Sequence, residues 1–327
     1  MSPVDLPLPI PLLAAKVSLV VAFLVHIVFV NLMVGGTLLA LLAHGLGRRD
    51  PFWRRFAGQL MDTVTVHKSL AVVLGVGPLL LVSVAYTEPF YTSSLLIAPF
   101  WLSVLWLVTL AFGLLYAYKY GFGGWGDARP RWHAASGLAG AAVLLCVPLI
   151  YLTNTQLMLD ASAMARRPGF FDALLHVGNV LPRYLHFLLA SLAIAGLWVM
   201  GWWGRAASGT PVEDLARLRI FGGRVAIGTT AAQFVVGPLV LLTLPRGALT
   251  WPAVTVLALG VLAGLGAIFS LLDTLRGAAR LRTAVALLAV TIACMGTTRH
   301  LIREALLQRP LDASAPAPEP VRMTPQR

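Results

Sequence analysis

The sequence is short of charge, of acidic residues and of cysteine. Only 12% of its 327 residues are charged, 13 are Asp or Glu, and 2 are Cys. The 58% hydrophobic content and the mean hydropathy of +0.81 exceed what a soluble domain of this length contains. The chain is therefore predicted to be a polytopic membrane protein, with the lipid membrane as one of its partners.

The two cysteines exclude several kinds of redox centre. Cys146 and Cys294 lie in separate apolar runs and form no CxxC pair, which argues against a thiolate metal site or a disulfide framework. The sequence also contains no CxxCH, so it predicts no covalently attached c-type haem on this chain.

Apolar runs of about 20 residues or more, the length that a bilayer demands of a helix, recur along the chain. We place eight candidate spans at approximately 12–46, 67–88, 94–118, 132–158, 180–203, 222–244, 251–273 and 283–305. The first span is expected to be retained, because no charged n-region and no cleavage site accompany it. The predicted fold is an all-α transmembrane bundle over residues 1–308. The Pro- and Ala-rich segment 309–327 is expected to be a disordered tail or a partner-binding strap.

The net charge of +12 is distributed as a topology signal, not as a nucleic-acid-binding surface. Arg and Lys concentrate in the segments after spans one, three, five and seven, such as Arg48, Arg49, Arg54 and Arg55. The segment after span four, with Arg166, Arg167 and Arg183, is the exception. The positive-inside rule therefore predicts that both termini lie on the outer, periplasmic side. We expect the membrane to be a bacterial inner membrane.

Acidic residues are almost absent from the span centres. Glu88, Asp160, Asp273 and Glu304 all fall at or near span ends. A proton pump or a cation-coupled transporter normally needs a carboxylate near the midplane, so this absence disfavours both classes.

Histidines are the ionisable residues that remain inside the spans. His26 lies near the middle of span one, His186 in the outer half of span five, and His300 near the outer end of span eight. His67 and His133 open spans two and four at the predicted inner side, beside cationic residues. Neutral imidazole is a good axial ligand for haem iron, and a helical bundle offers a slot for the macrocycle. The alternatives are hydrogen bonds between helices for the first three and ordinary interfacial histidines for the last two.

Small residues accompany these histidines and allow two interpretations. Gly35 and Gly36 follow His26, and Gly75 and Gly77 lie in span two. The small residues after His186 are Ala190, Ser191, Ala193, Ala195 and Gly196. Such residues let a flat macrocycle lie against a helix, and they equally let two helices pack closely.

Two further groups of polar residues mark span ends. Arg299 and Arg303 are four residues apart on span eight and could clamp haem propionates or a partner's carboxylates; they could also be a snorkelling interfacial pair. Quinone head groups need polar contacts beside an apolar slot, and the candidates are Glu88, Tyr91, Asn154 and Gln156. Polar helix ends are ordinary, so the second group is the weaker signal.

Several blocks resemble the large subunit of cytochrome bd quinol oxidases. The stretch "LPRYLHFLLASLAIAGLWVMGWWGR", followed by "IFGGRVAIGTTAAQF", resembles the fifth and sixth helices of that family. "AFLVHIVFVNLMVGGTLLALL" with "DPFWRRFAGQL" resembles its first helix and loop, and "HAASGLAGAAVLLCVPLIYLTNTQLML" its fourth helix. The resemblance covers about the first 245 residues. It implies that His186 ligates a low-spin haem b. His26 falls at the family's high-spin ligand position.

Departures from the family change the implied chemistry. Span three has no carboxylate, the long quinol-binding loop between spans six and seven is missing, and span seven has no Met or His. Eight spans replace the family's nine. We therefore expect no oxygen reduction by this chain.

The resemblance thus implies a haem b subunit of a respiratory complex. It would pass electrons between membrane quinol and a periplasmic redox partner, either a multihaem c-type cytochrome or an iron–sulfur subunit, within a hetero-oligomer. His186 and His300 would hold an outer haem, with Arg183, Arg299 and Arg303 as propionate candidates. His26 would serve a neighbouring site, and His67 with His133 an inner haem. The alternatives are a haem-free, quinol-binding membrane anchor and, with less support, a transporter.

Overall fold

The chain folds into helices throughout the part that can be described. The computed structural model describes residues 11–205 and 211–307, and these ranges contain helices and no strand. Within these described ranges, eight helices are long and apolar enough to cross a membrane. The prediction of an all-α, eight-span bundle is confirmed, whereas the predicted tail 309–327 lies outside the described residues.

Short turns and three short helices connect the long helices. The elements are α1 Leu12–Leu46, α2 Pro51–Ala85, α3 Thr87–Leu96, α4 Ala98–Gly121, α5 Pro130–Leu157, α6 Ala161–Ala165, α7 Phe170–His176, α8 Val180–Trp198, α9 Val212–Leu242, α10 Trp251–Leu275 and α11 Leu281–Leu307. A π-helical turn, Val199–Trp203, continues α8. The candidate spans are α1, α2, α4, α5, α8 with its π-turn, α9, α10 and α11.

Two long helices begin earlier than the hydropathy of the sequence predicts. Helix α2 begins at Pro51 because the side chain of Asp50 accepts a hydrogen bond from the Phe52 N–H at 3.0 Å and proline suits the first helical position. Helix α9 begins at Val212, with Glu213 and an adjacent aspartate in its first turn, where the helix dipole favours negative charge. Several arginines that follow predicted spans one and five are therefore helical: Arg54, Arg55, Arg217 and Arg219.

The polar segment between spans two and three is also helical. The segment "TEPFYTS" forms most of α3, which follows the non-helical Tyr86. The hydroxyl groups of Ser93 and Ser94 donate to the Phe90 carbonyl at 3.0 and 2.8 Å, so α3 satisfies its own serines.

Helix α1 is the centre of the bundle. It packs along α2 and α8, and it also contacts α5 and α11. The Ser191 hydroxyl on α8 donates to Asn31 Oδ1 at 3.0 Å, and a Cβ on Gly35 would overlap the backbone carbonyl of Ser191. Gly196 of α8 also faces Gly222 of α9, where a Cβ on either glycine would overlap the backbone of the other helix. At these positions the small residues serve close helix packing, the second of the two interpretations that the sequence allowed.

The outer surface of the bundle is strongly apolar. Trp251 is 85% exposed and Leu242 is 81% exposed, and many other large hydrophobic side chains on the long helices are similarly uncovered. An apolar surface of this extent is unfavourable in water and favourable against acyl chains, so the bundle surface fits a lipid membrane.

Candidate functional site

Three histidines on three different helices share one unusual property. The Nδ1 atoms of His26 on α1, His186 on α8 and His300 on α11 are enclosed and have no hydrogen-bond partner. Leaving a buried polar atom unsatisfied costs about 1–3 kcal/mol, and folded proteins contain few such atoms. Three enclosed imidazole nitrogens in this state make the region around them the candidate site.

Three arginines lie within electrostatic range of these histidines. Each histidine has one of the arginines close enough for an electrostatic interaction: Arg183 with His186, Arg303 with His300, and Arg299 with His26. The arginines also interact electrostatically with one another, since the charges of Arg183 and Arg303 both act at Arg299. We call this group the histidine–arginine cluster; its members are His26, His186, His300, Arg183, Arg299 and Arg303.

The guanidinium groups of the cluster contact neutral partners. Arg299 lies 4.6 Å from the ring centre of Phe23, and Arg303 lies 5.4 Å from that of Tyr86. Arg183 donates from Nε to Asn179 Oδ1 at 3.1 Å. Within residues 11–205 and 211–307, no carboxylate forms an ion pair with any of the three arginines. Arg303 is 8% exposed, and Arg183 and Arg299 are partly buried. Cations withdrawn from water without a counter-ion are costly, so the cluster favours an anionic partner.

Glu304 is the acidic residue that approaches the cluster, and its charge is already matched. Its carboxylate accepts hydrogen bonds from the Lys16 ammonium and from the Tyr86 hydroxyl. Burial, together with the bond to Glu304, raises the pKa of Tyr86, so the phenol stays protonated and remains the donor. Lys16 and Glu304 cancel, which leaves the positive charge of the three arginines in place.

The three helices that carry the cluster do not all pack against one another. Both α8 and α11 pack against α1, but they make little contact with each other. His186 and His300 therefore stand on two helices that direct packing does not bring together. His26 lies on the helix between them, with its ring against Gly75 of α2 and near the backbone of Ala71.

The donors present in the cluster fit a haem. Haem iron takes neutral imidazole as its axial ligand, and guanidinium groups pair with propionates. The enclosed imidazole nitrogens and the arginines without carboxylates could make both kinds of contact. A bare metal ion would need more protein ligands, and in the described part of the chain no three His, Cys, Asp or Glu side chains come together for one.

Of the two histidines predicted for an inner haem, His133 can be placed, and it lies outside the cluster. His67 belongs to α2, but its side chain lies outside what the structure describes. His133 is 1% exposed, its Nε2 is 2.8 Å from the Tyr118 carbonyl oxygen, and its ring lies 4.8 Å from that of His44. His44 is about 27 Å along α1 from His26 by helical rise, so His133 belongs to the opposite end of the bundle.

The four quinone candidates are divided between surface and interior. Asn154 and Gln156 are buried on α5, whereas Glu88 and Tyr91 are exposed on α3. The Asn154 amide donates to Ser94 Oγ of α3 at 3.2 Å, while its Oδ1 is enclosed without a partner. Gln156 also lines a cleft of about 100 Å³. The two helices are thus neighbours, and the quinone assignment stays a prediction.

Sequence reasoning missed the contact that joins the two ends of the chain. Lys16 of α1 bonds to Glu304 of α11 although they are 288 positions apart. The available signal was one basic and one acidic residue in apolar helices at the same predicted depth, because opposite charges inside a bundle usually pair.

We expect Glu304→Gln to destabilise the bundle. The substitution leaves the Lys16 ammonium, 15% exposed at its side chain, beside the arginines without its counter-ion. Removing one partner of a buried ion pair costs about 3 kcal/mol or more. Thermal unfolding of the purified chain would measure the loss, and the double variant Lys16→Met/Glu304→Gln should recover part of it. Equal unfolding temperatures for Glu304→Gln and the wild type would contradict a stabilising pair.

The resemblance to cytochrome bd large subunits gains no support beyond the residues quoted above. The functional reasoning therefore depends on the chemistry of the histidine–arginine cluster. Comparison with protein-family models and with curated proteins finds no match for this chain.

Proposed function

We propose that this chain is a membrane subunit that binds haem b and passes electrons between membrane quinol and a periplasmic redox partner. The observation that carries the proposal is the histidine–arginine cluster. It combines three enclosed imidazole nitrogens without partners and three arginines without carboxylates inside an otherwise apolar bundle.

Each member of the cluster has a role in this proposal. His186 and His300 would hold the iron, and His26 would serve an adjacent ligand position. Arg183, Arg299 and Arg303 would pair with the propionates. When bound, a haem supplies one-electron transfer.

The protein residues would also set the conditions for that transfer. The apolar helices exclude water, which strengthens electrostatic interactions inside the bundle. The positive charge of the three arginines favours the state with the additional electron, so it raises the reduction potential of a group held there. The α3 and α5 ends would admit the quinol head group, through Asn154 and Gln156. The proposed partner is a multihaem c-type cytochrome or an iron–sulfur subunit.

The first test is the absorbance of the purified full-length chain. We expect a reduced-minus-oxidised spectrum with b-type bands, and a pyridine haemochrome that yields non-covalent haem b. The expectation follows because the cluster offers axial nitrogen ligands but the sequence has no CxxCH for covalent attachment. A folded chain that carries no haem after expression in haem-sufficient cells would refute the proposal.

A haem-free outcome would favour the quinol-binding anchor. The enclosed, unpartnered Oδ1 of Asn154 is the observation that supports this second candidate. Extraction of the folded, haem-free chain should then yield bound quinone, and Asn154→Leu should lower the amount that is retained.

A further inference from the structure

A second polar cavity lies at the end of the bundle remote from the histidine–arginine cluster. It is a cleft of about 400 Å³ where α1 ends, α2 begins and α5 begins. The residues that line it come from these helix ends and from the turn before α5: His44, Gly47, Arg48, Arg54, Gly126, Asp127, Pro130, Arg131, His133 and Ala134.

The charges around the cleft do not balance. Arg54 forms an ion pair with Asp127, which accounts for the one carboxylate in the lining. Arg48 and Arg131 are exposed at the rim and form no ion pair with any described carboxylate. Two cations in the lining, one after α1 and one at the start of α5, are thus available to a ligand with negative charge.

The cleft has a fixed polar wall beneath these cations. Tyr118 organises it, because its hydroxyl lies 3.0 Å from His44 Nδ1 and its carbonyl oxygen lies 2.8 Å from His133 Nε2. The rings of His44 and His133 also pack together at 4.8 Å. Phe122 and Trp125 pack against the His133 ring, at 4.5 and 5.7 Å between ring centres. The shape of the cleft is therefore set by packing that needs no ligand.

Exposed apolar side chains lie on both helices that flank the cleft. Leu42 and Leu46 on α1 are 50% and 38% exposed, and Trp132 and Leu138 on α5 are 71% and 62% exposed. Both helices are candidate membrane spans, so these side chains suit contact with acyl chains. A free anion would use the arginines alone, whereas a phospholipid would use the arginines and the apolar flanks.

We propose that this cleft is a specific site for an anionic phospholipid. Arg48 and Arg131 would bind the phosphodiester oxygens, and the acyl chains would run along the exposed flanks of α1 and α5. Basic pockets between the ends of membrane helices suit such head groups, since guanidinium binds phosphate with two parallel hydrogen bonds. This site is independent of the haem proposal.

The test measures lipid binding to the delipidated, full-length chain by native mass spectrometry. Phosphatidylglycerol is titrated against phosphatidylcholine and against inorganic phosphate. We expect Arg48→Gln/Arg131→Gln to weaken phosphatidylglycerol binding about thirtyfold, from the loss of two charges at the head group. The matched control is Arg49→Gln/Arg129→Gln, which removes two exposed cations from the same helix ends outside the cleft; it should bind like the wild type.

A second variant keeps every charge and fills the space. Ala134→Trp places a large side chain into the cleft and should weaken phosphatidylglycerol binding to a similar extent. Unfolding temperatures of all variants establish that they fold. Equal losses in the two arginine pairs, or phosphatidylcholine binding as tightly as phosphatidylglycerol, would overturn the proposal. If inorganic phosphate saturates the site, and Arg48→Gln/Arg131→Gln abolishes that binding, the ligand is a free anion and not a lipid.

Discussion

Replacing His186 by Ala is expected to abolish the absorbance band of the haem that this residue ligates. The variant removes an enclosed imidazole whose Nδ1 has no protein partner, so no hydrogen bond between helices is lost with it. The iron would lose an axial ligand, which haem b needs for retention in the absence of a covalent bond. Reduced-minus-oxidised spectra of the purified chain, normalised to protein, measure the effect.

The matched control for this variant is His176→Ala. His176 ends the short helix α7, is exposed, and lies with Nδ1 at 2.7 Å from Asp172 Oδ1. Its substitution should leave the spectrum unchanged. An unchanged spectrum for folded His186→Ala protein would show that another residue ligates the haem. The His300→Ala spectrum then distinguishes pairing with His186, which predicts loss of the same band, from ligation at separate sites.

Gly35→Ala is expected to give the largest loss of stability among single methyl additions to α1. A Cβ at this position would overlap the carbonyl oxygen of Ser191 and approach the Ala195 Cβ to 2.8 Å. The obstacle is backbone of α8, which cannot rotate away as a side chain can. Overpacking of this kind costs about 1–3 kcal/mol, or more where backbone must shift. It would also strain the bond between Ser191 and Asn31.

Gly45→Ala tests the same chemical change on the same helix without the obstruction. No atom lies within 4 Å of a Cβ built at Gly45, so alanine should be neutral or stabilising through its better helix propensity. Thermal or denaturant unfolding in detergent compares the two variants with the wild type. Equal unfolding midpoints for Gly35→Ala and Gly45→Ala would contradict close packing of α1 on α8.

Hydropathy alone located the membrane helices because a bilayer imposes one length and one composition on each of them. The predicted first span, 12–46, agrees with α1. The starts of α2 and α9 were predicted too late, since both helices continue into polar segments that hydropathy excludes. Local chemistry decides those starts, through the Asp50 cap before Pro51 and the acidic first turn after Pro211.

The candidate site was predictable in its members but not in its grouping. His26, His186 and His300 stand out in the sequence because ionisable residues in apolar helices are rare. His133 stands out equally, yet the fold gives its Nε2 a carbonyl partner and surrounds its ring with aromatic side chains. Sequence spacing cannot separate these two outcomes, because each partner comes from a different helix.

The sequence by itself determined that this is an eight-span, all-α membrane protein with few acids and several histidines at its span interiors and ends. Only the tertiary structure decided what those residues meet. In it, Asn31 and Gly35 contact α8, and Lys16 pairs with Glu304. The Nδ1 atoms of three histidines have no partner. The physical reason is that membrane insertion depends on the composition of each helix alone, whereas hydrogen bonding and charge pairing depend on which helices become neighbours.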